Sequence, residues 1–160
     1  MGFYPGHFPV EVDFLEGFAL DGVSVANVGA DGLGLIRVAR ATYDFAVHGG
    51  ATGAKNLGVT LPAGALIVGG FVDVITTCTT AGADAGTMAI HVQSANDIVT
   101  ATAVSAVGDI WDEGQSPIIP KANTPESTAI KLTADRTVTA TIATQAFTAG
   151  KFTVYLYYVA

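Results

Sequence analysis

The chain has 160 residues, of which 50% are hydrophobic and 13% charged, and its formal net charge is -7. A globular chain averages about 25% charged residues, so this composition leaves apolar surface that a lone domain has little charge to cover and points to permanent assembly. The acidic balance, with no Lys or Arg between Lys55 and Lys121, argues against a nucleic-acid partner, and the lone Cys78 excludes an intrachain disulfide or a Cys-based zinc site.

Residues 1–34 set Phe3, Tyr4, Phe8, Phe14, Leu15, Phe18 and Leu20 among glycines and acids, with neither a helical nor an alternating period. They read as an irregular N-terminal arm, and residues 35–160 as one domain. The N-terminus lacks the basic and apolar regions of a secretory signal. The longest uncharged hydrophobic stretch, residues 56–72, carries Pro62 and four glycines and is marginal for a membrane span. The expectation is a soluble protein made in a cytoplasm, with no membrane partner.

From Ile36 the period is two, the mark of half-buried strands. Ala41, Tyr43, Phe45 and Val47 fall on one face, and Gly49, Gly50 and Gly53 make a turn. A short strand over residues 57–60 follows. Residues 65–77 read as a long strand interrupted at Gly69 and Gly70, a bulge or corner where the chain passes between sheets. In the next strand Met88, Ile90 and Val92 point one way and His91 the other. Asp97 is placed to cap a short helix through Ala103. Trp111 falls in a loop over residues 108–114, and Pro117, Pro120 and Pro125 punctuate an edge segment.

The last third alternates most cleanly. Ile130 and Leu132 are set against Lys131 and Thr133, and Val138, Ala140 and Ile142 against Thr137, Thr139 and Thr141. Ala149 and Gly150 read as a turn into a terminal strand with Phe152, Val154, Leu156 and Tyr158 on one face and Tyr155 and Tyr157 on the other. Both faces of that strand ask for cover. Eight or nine short strands with glycine-rich turns and no strand-helix alternation predict an all-β fold, an antiparallel sandwich of jelly-roll type.

Particular residues carry a family resemblance. Tyr43-Asp44-Phe45-Ala46-Val47, then Gly49-Gly50-Ala51, Leu57-Gly58-Val59 and Leu61-Pro62-Ala63, resemble the opening of small β-rich head proteins of tailed bacteriophages. Leu132-Thr133-Ala134, Thr137-Val138-Thr139 and Thr148-Ala149-Gly150-Lys151-Phe152 are similar to their ending. The resemblance covers residues 36–160 and implies a capsid decoration, or cement, protein. Such a protein is a homotrimer on the outer capsid surface of the virion that clamps neighbouring copies of the major capsid protein. The alternative is the head of a fibre or spike that binds a host glycan through Trp111, Tyr155 or Tyr157.

Catalytic patterns are missing. None of the five serines sits in a Gly-x-Ser-x-Gly elbow, and neither a His-Glu-x-x-His nor a phosphate-loop pattern occurs. Asp44 could orient His48 as a base, but a strand-end histidine beside a glycine turn is the plainer reading. Asp109, Asp112 and Glu113 form the densest acidic cluster, without the spacing of a calcium loop. The expectation is therefore a structural protein and no enzyme, with no cofactor and no metal. Its contacts are assigned to Phe3, Tyr4, Phe8, Phe14, Phe18, Trp111, Tyr155 and Tyr157.

Overall fold

A computed structural model describes residues 36–82, 85–104, 110–118 and 129–160. The period-two pattern becomes nine strands among these residues. β1 (Arg37–Asp44), β3 (Leu66–Thr80), β6 (Gly114–Ile118), β7 (Ile130–Lys131) and β9 (Phe147–Val159) form one sheet. Its order is β1-β9-β3-β6, with β7 also paired to β3. β2 (Gly53–Leu61), β4 (Thr87–His91), β5 (Val99–Ala103) and β8 (Arg136–Ala143) form the second, in the order β2-β8-β4-β5. All pairings are antiparallel. The two sheets pack together as an all-β sandwich, and the chain changes sheet at most connections between the described strands. The sandwich occupies residues 36–160. The arm expected over residues 1–34, and with it Phe3, Tyr4, Phe8, Phe14 and Phe18, lies outside the described residues.

The core is the set of inward positions that the alternation marks. Tyr43, Val72, Phe152, Val154 and Leu156 of the first sheet meet Leu61, Met88, Ile90, Val138, Ala140 and Ile142 of the second, all buried. Each large apolar side chain so placed contributes roughly 1.5–3 kcal/mol.

Three elements depart from the sequence reading, and a fourth keeps one of its two alternatives. β1 stops at Asp44 instead of running through Val47, because the Asp44 carboxylate accepts the Ala46 N–H at 2.9 Å and caps one helical turn, α1 (Phe45–His48). Gly49 ends that turn at φ +65°, and Val47 is left exposed. Of the two readings of Gly69 and Gly70 the bulge holds and the passage between sheets does not: β3 runs through them, with a register shift between Ile67 and Gly69. A Cβ at Gly70 would stand 2.1 Å from the Tyr155 carbonyl oxygen, so the residue is needed for close approach of β3 to β9.

Asp97 caps no helix. Its buried carboxylate accepts the N–H groups of Val92, Gln93 and Ser94 at 2.9 Å each, closing the turn that returns β4 into β5. β-branched Val99 and Thr100 then continue as strand. Ala149 and Gly150 are not a turn but lie within β9; the reversal falls earlier, where Thr144 takes φ +67°. Gly150 permits β9 to press against Cys78, whose Sγ would be 2.7 Å from an added Cβ.

Candidate interaction surface

The alternation of β9 decides what the outer face of the five-stranded sheet presents. With Phe152, Val154 and Leu156 buried, Tyr155 and Tyr157 point away from the core, and cross-strand register sets their neighbours. One row runs Arg40, Tyr155, Phe71, Pro117; the next runs Val38, Tyr157, Gly69; a third runs Lys131, Leu66, Val159. Phe71 stacks on Tyr155 at 4.5 Å between centroids, 14° from parallel, and lies tilted against Tyr157 at 6.2 Å. The Arg40 guanidinium sits 5.8 Å over the Tyr155 ring. Val38 is 56% exposed, Leu66 37%, and Val68, the extra residue of the bulge, 40%. The three aromatic rings therefore brace one another in a half-covered apolar strip at one end of the sheet.

The other end of that face is polar and internally satisfied. Thr42 and Thr153 share a hydroxyl hydrogen bond at 3.0 Å, and Gln115 Nε2 donates to Asp73 at 2.7 Å. Lys151 pairs with Asp44 at 2.9 Å. The hydrogen bond from Lys151, followed by that from the Ala46 N–H, holds the Asp44 carboxyl below the usual carboxylate range.

This pairing also settles the geometry around His48. The Asp44 carboxylate is turned to Lys151 and Ala46, while His48 Nδ1 lies 3.1 Å from the backbone N and O of Asp44 and the ring stacks on Tyr43 at 5.6 Å. The carboxylate-oriented imidazole that general-base work needs is not formed. Among the described residues no group of three or more His, Cys, Asp or Glu is placed to hold a metal ion; Asp109 lies outside them. No helix among the described residues is long and apolar enough to cross a membrane.

Trp111, expected at an interface or against a sugar, is instead 0% exposed. Its ring meets Phe152 at 5.2 Å, its indole N–H donates to the Thr102 carbonyl at 3.3 Å, and its own carbonyl accepts the Cys78 N–H at 3.0 Å. The residue plugs the sandwich where β3, β5 and β9 converge, so it offers no ring face to a partner. Of the eight residues expected to make contacts, the structure brings two together on an open face, Tyr155 and Tyr157. It adds neighbours that alternation in one strand does not reveal, namely Val38, Arg40, Leu66 and Phe71, because strand order and register are non-local.

The outer face of the four-stranded sheet differs. Its rows Asn56, Thr139, His91 and Ala54, Thr141, Ala89 are small, polar or uncharged.

No protein-family model matches the chain, and no curated protein matches its sequence. Its fold recurs in solved phage capsids. A chain in the capsid asymmetric unit of cyanophage Pam1 is similar at TM-score 0.58 and 19% identity, covering 98% of this chain and 99% of that one. A chain in the capsid of Ralstonia phage GP4 is similar at TM-score 0.54 and 20% identity, covering 92% and 94%. A chain in the acidic stable capsid structure of Helicobacter pylori bacteriophage KHP30 is similar at TM-score 0.54 and 17% identity, covering 79% and 88%. At these identities the likeness is one of fold.

Proposed function

We propose that this chain is a virion structural protein, a decoration or cement protein that binds the outer surface of a phage capsid as a homotrimer and stabilises the shell. The observation that carries the reading is the end-to-end likeness to a chain of a phage capsid asymmetric unit, 98% of one and 99% of the other. The half-covered strip of Val38, Leu66, Phe71, Tyr155 and Tyr157 supports it, since an apolar face of this kind marks a protein contact. Its partners are further copies of itself and the major capsid protein. The action is thermodynamic: a protein that binds only the assembled lattice stabilises that lattice by mass action. The reading of a glycan-binding fibre head loses its main platform with the burial of Trp111.

Native mass spectrometry of the purified protein, followed by addition of empty expanded capsids of its phage, tests the proposal. A trimer that cosediments with capsids and raises their disruption temperature is the expected result. A monomer without affinity for capsids would sink it.

A further inference from the structure

The apolar end of the five-stranded sheet carries charge of one sign. Among the described residues, the rows through Tyr155, Tyr157 and Leu66 hold two charged side chains, Arg40 and Lys131, and both are cations. In a chain of net charge -7 this is a local inversion. Such a face does not suit a second copy of itself, because a two-fold contact would set like charges against each other as the apolar strips closed. Its complement is a surface that is aromatic and acidic together.

The sequence gathers the most aromatic residues together with acids at its N-terminus. Residues 1–35 hold Phe3, Tyr4, Phe8, Phe14 and Phe18 with Glu11, Asp13, Glu16, Asp21 and Asp31, and no Lys or Arg. Thirty-five residues can reach up to about 115 Å when extended, enough to meet a neighbouring domain. The inference rests on the trimer proposed above, since a ring of three closes through heterologous contacts, in which one surface of a copy meets a different surface of the next. We propose that the strip of Val38, Leu66, Phe71, Tyr155 and Tyr157, edged by Arg40 and Lys131, receives the acidic aromatic N-terminal segment of a second copy.

Charge exchange in the full chain tests this without capsids. Arg40→Glu with Lys131→Glu, and separately Glu11→Lys with Asp13→Lys and Glu16→Lys, are each expected to weaken assembly at least about ten-fold by native mass spectrometry. Both sets together in one chain should restore it. Circular dichroism shows whether each variant is folded. As a second measurement, a photo-crosslinking residue at position 157 should join residues 1–35 of another copy, read from trimers of mixed isotopic label. A wild-type trimer that survives either reversal, a combined variant that stays dissociated while folded, or crosslinks confined to one copy would overturn this inference and leave the capsid reading standing. A wild-type monomer would remove the trimer itself.

Discussion

Trp111 is the single tryptophan of the chain and one of its largest fully buried side chains, so its fluorescence reports directly on the core. Emission should be blue-shifted in the native protein and move to the red on unfolding, and Trp111→Ala should cost about 3–5 kcal/mol in chemical denaturation. A native emission already at the wavelength of water-exposed indole would contradict the burial. Tyr43 makes a second, pH-dependent statement. Burial above all, then the charges of Cys78 and Asp44, pushes its hydroxyl up to about 12, and that hydroxyl donates to the Gly49 carbonyl at 3.0 Å. A raised value in the fold means stability that is present in full below the unfolded value of about 10 and is lost as pH climbs from there toward 12. The denaturation midpoint of the wild type should therefore fall above about pH 10 more steeply than that of Tyr43→Phe. Parallel slopes for the two proteins would rule this out.

At the level of elements, the pairing of β3 with β9 organises the outer face, and Gly70 is its tightest point. Gly70→Ala would drive a Cβ into the Tyr155 carbonyl, which is backbone and has no rotamer to escape into. A loss of 1–3 kcal/mol or more is expected from calorimetry, with weakened assembly, because Tyr155 and Phe71 would be displaced together; a variant as stable as wild type would show that β9 yields easily. The strands themselves were readable where the cause is local. Val138, Ala140 and Ile142, or Phe152, Val154 and Leu156, alternate against polar neighbours, and the pleat makes that alternation a face. Other features have causes outside the window that periodicity sees. Phe45 and Val47 continue the alternation of β1, yet a side-chain cap from Asp44 and the positive φ of Gly49 turn them into α1. Asp97 carries the signature of a helix cap and uses the same acceptor chemistry backwards along the chain, on the N–H groups of residues 92–94. The burial of Trp111 depends on three strands far apart in sequence, and so does the exposed company that Tyr155 and Tyr157 keep.

At the scale of the sandwich, the described residues form two different outer faces, one of small or polar residues and one with braced aromatics, and the second has the character of a contact. If that contact holds three copies together, unfolding is coupled to dissociation and the thermal midpoint must rise with protein concentration. The size of the effect follows from the size of the domain. Residues 36–160 make a sandwich of 125 residues, for which an unfolding enthalpy of about 90 kcal/mol per copy is expected. Releasing three chains from one trimer then shifts the midpoint by roughly 4 °C for each tenfold change in concentration. Calorimetry across a hundredfold range should show a rise of about 8 °C for the wild type. In Arg40→Glu with Lys131→Glu the curve should flatten, since those two cations edge the strip and are exposed. A midpoint independent of concentration in the wild type would mean that the copies fold alone, and the apolar strip would then have to be covered by the shell.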